Sequence, residues 1–501
     1  MGIIIRQSIK ASLGSYIGVG IGIVNQLLVS PNYLTPDQLA ISRILLENSI
    51  VFAVFAHLGT PFIGDRFFGL FRDDTTRHGG FLAFLLSFPL VGFALFAGLY
   101  FAFQEPIMAY FAKSKALLPY YWLVLPLTAF WMYLVVLEGY CRNNARIAIP
   151  TFVRAVYLRA ANVLVVLLFG LGWYGFEWML YLTLACYGLA VGILLAYIGW
   201  LGKFSLAFDF RRLRGGLFRQ MLYYGLFIVM GGVGTNLVLL IDRTMLSHGE
   251  GLPDVAVFVI ATYIASVIEI PRKAITQIST PLLANSIREE NRSHVLELYQ
   301  KSALNQLLVG GLFSLLIWLN IDGILAVLPK AAFYSQGKWV VLLMVSAKLV
   351  DMATGLNAEM ITYSKHFRYA TYLVIIMATV AIGANDYLIP LYGLNGAALA
   401  TALTTLLYAS IRVGLVWRFF GMLPFTTATL KALLVLALVG VAGWLLPAWG
   451  GSVAHTLGSI VLRSAVLTAL FGGLILLLRV SADVNHVVSA VTKRFLPRMR
   501  S

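Results

Sequence analysis

The chain has 501 residues, of which 60% are hydrophobic types and 12% are charged, and its mean hydropathy is +0.86. A soluble globular chain is nearer half apolar and a quarter charged, and its exterior must be polar, so a soluble fold of this length is excluded and an all-α polytopic membrane protein is expected. The formal charge of +16 would point a soluble protein toward nucleic acid, but short loops of membrane proteins collect Lys and Arg, so no nucleic-acid partner is expected.

A bilayer core of about 30 Å takes roughly 20 mostly apolar residues per helical span. Fourteen such stretches follow one another, spans 1 to 14: 8–30, 40–64, 80–103, 117–140, 147–170, 177–200, 219–241, 254–281, 296–319, 338–362, 369–386, 390–416, 428–447 and 456–479. MGIIIRQSIK leads straight into span 1 with no small-residue cleavage site after it, which reads as a retained span and not a signal peptide. Leu34-Thr35-Pro36-Asp37 precedes span 2, and Gly251-Leu252-Pro253-Asp254 precedes span 8. Proline with an acid beside it is ordinary chemistry for a helix start, and the two placements fit a parallel internal repeat. Residues 322–335 are apolar but too short to span, and are expected to lie in the interface. Residues 383–391, GANDYLIPL, read as a very short hairpin loop between spans 11 and 12.

Alternate loops differ in charge. One set carries Arg72, Arg77, Arg142, Arg146, Lys203, Arg211, Arg212, Arg214, Arg288, Arg292, Lys365, Arg368 and Arg418, and the tail adds Lys493, Arg494, Arg498 and Arg500. The opposite set has little beyond Lys113, Lys115, Lys330 and Lys338. This asymmetry predicts an even number of spans with both termini cytoplasmic. The largest connector on that side, 201–218, divides the chain into an N-terminal lobe, 1–210, and a C-terminal lobe, 211–425, followed by a terminal pair of spans and a basic tail, 426–501. Its basic cluster is expected to rest on anionic headgroups.

Cys141 and Cys186 are the only cysteines, which excludes a disulfide framework and a multi-cysteine metal site. No G-x-x-x-x-G-K-[ST], G-x-S-x-G or H-E-x-x-H pattern occurs. No ATPase, no cofactor, no metal and no enzymatic activity are expected, and the chemistry is sought inside the membrane.

Ionisable groups at membrane depth are costly and mark function by default. Arg159 lies near the middle of span 5, with Arg154 closer to the cytoplasm. Lys348 and Asp351 share a face of span 10, three residues apart. Glu269, Arg272 and Lys273 lie inside span 8, where Pro271 loosens the helix. Arg43 and Glu47 are four apart in span 2, and Arg463 is in span 14. Snorkelling is the plainer reading for Arg43, Arg154 and Arg463, and mutual neutralisation for Lys348–Asp351 and Arg43–Glu47. The excess of cations suits an anionic ligand, and guanidinium groups match phosphate geometry. Asp65-Arg66 and Glu138–Arg142 at the cytoplasmic ends of spans 2 and 4, and Asp242-Arg243 at the outer end of span 7, read as gate residues or as solvated end charges.

Two stretches, 386–408 (DYLIPLYGLNGAALATALTTLLY) and 138–160 (EGYCRNNARIAIPTFVRAVYLRA), with Leu34-Thr35-Pro36-Asp37-Gln38 and Ile241-Asp242-Arg243, carry a resemblance to a known family. The chain resembles the polysaccharide transporter family of the multidrug/oligosaccharidyl-lipid/polysaccharide exporter superfamily, whose best-known members are O-antigen-type flippases. Gly393, Gly396, Ala397, Ala398 and Ala400 give span 12 a small-residue face for close packing.

The resemblance implies about 14 transmembrane helices, in two six-helix lobes around a central cationic cavity plus a C-terminal helix pair. It implies alternating-access movement of an undecaprenyl-diphosphate-linked oligosaccharide across the bacterial cytoplasmic (inner) membrane, for lipopolysaccharide or other surface polysaccharide. Membrane lipids are further partners, H+ or Na+ is the expected coupling ion, and a glycan polymerase or glycosyltransferase an expected protein partner. On depth, Arg159, Arg272, Lys273, Lys348, Arg154 and Arg43 are expected to bind the diphosphate headgroup. Glu47, Glu269 and Asp351 are expected to bind the ion or pair with cations, and Arg66, Glu138, Arg142, Asp242 and Arg243 to form gates. Relatives that flip peptidoglycan precursor carry arginines in span 1, whereas here no cation lies between Lys10 and its outer end, which argues against a lipid II cargo. A drug or cation antiporter of the superfamily would have twelve spans and an acidic cavity.

Overall fold

The computed structural model describes residues 2–73, 78–207 and 216–480. Arg77, the connector residues Arg211, Arg212 and Arg214, and the tail residues Lys493, Arg494, Arg498 and Arg500 lie outside the described residues. Every regular element among the described residues is helical, and helices occupy all fourteen expected positions.

Among the described residues ten helices are long and apolar enough to cross a bilayer, eleven when the bent pair Leu252–Ser266 and Glu269–Arg288 is taken as one span. Three expected spans are not separate members of that count. Span 7 is the helix Leu217–Gly249. Span 10 is the 16-residue helix Lys338–Ala353, followed by the short helix Asn357–Thr362. Spans 11 and 12 run on as one stretch, Phe367–Phe420. The protein is an all-α, multi-pass membrane protein.

By their contacts the helices separate into two compact units, Met1–Ala256 and Val257–Ser501. The division falls beyond the connector at 201–218 because Leu217–Gly249 packs on Pro36–Ala56 and Thr60–Phe71 of the first unit.

Local chemistry explains where the helices start and break. Thr35 caps span 2 with a reciprocal capping box to Gln38, and Pro36 takes the first helical position. Span 2 then breaks at Leu58 and Gly59, both at positive φ (47° and 75°), and resumes as Thr60–Phe71. A Cβ on Gly59 would stand 2.4 Å from the Gly225 carbonyl oxygen of span 7. Phe71 stacks on Phe81 with ring centroids 4.3 Å apart, within a buried cluster that includes Ile63, Leu85, Leu137 and Tyr140.

Two π-helical turns also belong to the first unit, Asn25–Val29 in span 1 and Val153–Tyr157 in span 5. The helix before the first packs on the second: a Cβ on Gly18 would meet the Ala155 carbonyl oxygen at 2.1 Å.

In the second unit, span 8 bends by 49° between Ser266 and Glu269. Pro271 lacks the N–H that would bond the Val267 carbonyl, and its ring clashes with that turn, so the bend follows from the sequence. Spans 11 and 12 are divided at Gly393, whose φ of 54° and ψ of −129° are non-helical. A Cβ on Gly396 would stand 2.0 Å from the Leu388 carbonyl oxygen, whereas residues eight apart in a straight helix are about 12 Å apart. The chain therefore turns back at Gly393, and the turn lies after 383–391, which is helical. Helices Thr427–Leu445 and Val453–Leu477 pack on span 9 through Leu307, Leu308, Val435, Val439, Leu467 and Phe471. Residues 322–335 form the short helices Ile321–Val327 and Ala331–Tyr334.

Candidate functional site

The expected charges fall into two groups, one in each unit. In the second unit, the bend at Pro271 starts a new helix at Glu269 and sets Glu269 and Arg272 one turn apart, facing span 10. Span 10 presents Lys348 and Asp351 at the matching spacing. Lys348 donates to Glu269, and Arg272 donates through Nη1 to Oδ2 of Asp351. Lys348 and Asp351 therefore neutralise partners on span 8, not each other. Helix-to-helix register decides this, because each side chain finds its counter-charge across the interface at shorter range than along its own helix.

A residue outside the expected set completes the group. Arg412 of span 12 donates through Nη2 to Oδ1 of Asp351. Its side chain is 6% exposed, against 22% for Arg272 and 14% for Asp351. The guanidinium also lies over the Tyr408 ring, 4.1 Å from its centroid. The signal for Arg412 was present in the sequence as a lone arginine within an apolar span. Lys273, next along, is exposed and makes no hydrogen bond or ion pair with the described residues. Among the described residues three cations, Lys348, Arg272 and Arg412, pair with these two carboxylates, and Lys273 lies beside them; Lys273 is exposed, and Lys348 and Arg272 are 24% and 22% exposed.

In the first unit, Arg243 of span 7 donates to Oε1 of Glu47 on span 2. Beside this pair, Asn48 bonds the Tyr121 hydroxyl at 3.2 Å and accepts from Thr244 at 3.5 Å. Asp242 is buried. Arg43 and Arg159 both act electrostatically on Tyr187, which places one cation from span 2 and one from span 5 beside span 6. Arg159 is half-buried and makes no hydrogen bond or ion pair with the described residues.

The π-helical turn shapes this region. Leu158 bonds back five residues to the Val153 carbonyl, and an i→i+5 ladder brings residues five apart toward one face. Arg154 and Arg159 are such a pair. Arg154 itself bonds Glu138 at 3.1 Å. Arg142 bonds Asp65 at 2.7 Å, and Arg66 lies over the Tyr224 ring, 4.4 Å from its centroid. These gate candidates therefore connect span 2 to spans 4 and 7 and span 4 to span 5. Arg463 donates to the Gly443 carbonyl of span 13 at 2.9 Å, which accounts for its depth without a ligand.

No family model matches the chain, and no curated protein matches its sequence. Solved structures do match its fold. It is similar to the lipid II flippase MurJ in an inward closed conformation, with a TM-score of 0.71 and 12% identity over 95% of this chain and 100% of that chain. It is similar to an inward-facing multidrug resistance MATE family transporter of the MOP superfamily, with a TM-score of 0.61 and 15% identity over 81% and 98% of the two chains. A MOP superfamily transporter from Pyrococcus furiosus, described by the reverse polarity of its binding pocket, gives 0.56 and 16% over 85% and 96%. The chain has the helical fold that these flippase and transporter structures share.

Proposed function

We propose that the protein is a flippase that moves an undecaprenyl-diphosphate-linked oligosaccharide from the inner to the outer leaflet of the bacterial cytoplasmic membrane by alternating access. Its product would feed assembly of a surface polysaccharide such as O-antigen, capsule or exopolysaccharide. One observation carries this reading: within the second unit Arg272, Lys348 and Arg412 pair with Glu269 and Asp351, and the exposed Lys273 beside them makes no ion pair among the described residues. An excess of cations at membrane depth calls for an anion, and planar guanidinium donors suit a diphosphate. In this reading Arg272, Lys273 and Lys348 hold the headgroup. Arg159 and Arg43, with Arg154 at the same face of span 5, form a second cationic station in the first unit. An H+ or Na+ gradient, or the membrane potential at about 2.3 kcal/mol per charge per 100 mV, drives the cycle, with Glu47, Glu269 or Asp351 as the ion site.

A second reading, a lipid II flippase, is favoured by the likeness to MurJ over nearly all of both chains. Complementation of strains that each lack one flippase type separates the two. The proposal expects the wild type to restore surface glycan in the strain lacking the glycolipid flippase, and Arg159→Gln and Arg272→Gln to fail. Rescue of only the peptidoglycan-precursor strain would favour the second reading. Full glycan assembly by both variants would overturn the assignment of the site. An acid-rich site would have favoured a cation antiporter, and the charge balance here runs the other way.

A further inference from the structure

Asp351 divides its two oxygens between two arginines of unequal accessibility. Oδ1 takes Arg412 of span 12 and Oδ2 takes Arg272 of span 8. Arg412 is nearly enclosed, lies over Tyr408, and its Nε is 3.4 Å from the Tyr408 carbonyl of its own helix. Arg272 retains more than three times the exposure of Arg412 and sits one residue from the exposed Lys273.

We propose that Arg412 is a positioning residue that makes Arg272 exchangeable, so that Arg272 can leave Asp351 for the anionic headgroup. This rests on the reading that the second-unit cluster binds a diphosphate. A carboxylate enclosed among helices is strongly destabilising when its partner cation is taken away. With a single arginine, headgroup binding would have to strip Asp351 of its compensation, and the carboxylate would compete with the ligand. With two, the departure of Arg272 frees Oδ2 alone, while Oδ1 keeps a charge-assisted bond to a cation that burial and the Tyr408 ring hold in place. Asp351 thus serves as a resting acceptor for Arg272, releasing it at low cost. Among the described residues Glu269 pairs with Lys348 alone, so the release of Lys348 leaves Glu269 without an ion-pair partner there. Arg272 is therefore the group whose transfer to the ligand leaves its acceptor compensated.

The test is calorimetric titration of the full chain in lipid nanodiscs with inorganic pyrophosphate. Wild type should bind, and Arg272→Gln should weaken binding by at least about tenfold. Arg412→Gln should weaken it by about tenfold, as expected if Arg272 is then captured by Asp351 in roughly nine molecules of ten. Adding Asp351→Asn to Arg412→Gln removes the competitor and should return affinity to within about threefold of wild type. Loss of binding from a merely structural role of Arg412 would not be rescued in this way. Should Arg412→Gln not fold, Asp351→Asn alone decides: the proposal expects binding at least as tight as wild type, and weaker binding overturns it. Absence of wild-type binding, or indifference to Arg272→Gln, would defeat the headgroup reading itself. Sensitivity to Arg272→Gln without sensitivity to Arg412→Gln, or a double variant as weak as the single one, would defeat the exchange proposal alone.

Discussion

Gly59 and Gly225 bring spans 2 and 7 into backbone contact, with the position of a Gly59 Cβ only 2.4 Å from the Gly225 carbonyl oxygen. Gly59 also holds a φ of 75°, in the left-handed region. An alanine there meets both costs: about 1–2 kcal/mol for the backbone conformation and a further about 1–3 kcal/mol for overpacking. Gly59→Ala is expected to lower thermal stability in detergent clearly. Gly69→Ala, on the same arm of span 2 but with open space around it, should leave stability within about 0.5 kcal/mol.

The ion pairs of span 2 should differ in strength. Glu47 and Arg243 are 19% and 20% exposed, so Arg243→Ala should destabilise by about 3 kcal/mol by leaving a largely buried carboxylate behind. The double variant Glu47→Gln with Arg243→Gln should recover part of that loss. Asp65 and Arg142 are 37% and 53% exposed, and a double-mutant cycle on them should give a coupling below about 1 kcal/mol that shrinks with salt. Equal couplings for the two pairs would contradict this assignment of burial.

The turn between spans 11 and 12 should depend on Gly393. Its φ of 54° with ψ of −129° is a combination that residues with a Cβ disfavour by about 1–3 kcal/mol. Gly393→Ala should reduce the yield of folded protein, measured by size-exclusion profile in mild detergent. Gly396→Ala should do so as well, because its Cβ would overlap the Leu388 carbonyl.

Composition and span pattern made the helical architecture legible, and Pro271 made the bend in span 8 legible too, since a missing N–H and a ring clash act within one turn. The P-D turns before spans 2 and 8 likewise marked helix starts. The pairing of the deep charges was less accessible. Lys348 and Asp351 share a helix face three residues apart, yet each is matched across span 8, because helix register is a tertiary property. Arg412 shows the same limit: an arginine inside an apolar span is visible, but its partner 61 positions away is not. The break at Leu58–Gly59 depends on Gly92 and Gly225 packing against it, and the π-helical turn between Arg154 and Arg159 has no distinctive residue pattern. The turn expected at residues 383–391 yielded to Gly393, two residues further on, whose positive φ tolerates the reversal.

The central claim is that the second-unit cations carry a lipid-linked anion across the bilayer. Its most direct test is leaflet transfer of a fluorescent undecaprenyl-diphosphate-linked oligosaccharide in proteoliposomes containing wild-type protein or Arg272→Gln. The account predicts transfer by the wild type well above protein-free vesicles, and a fall of at least about tenfold, near 1.4 kcal/mol of barrier, for the variant. Transfer equal in wild type and variant, or no faster with protein than without it, would contradict the account.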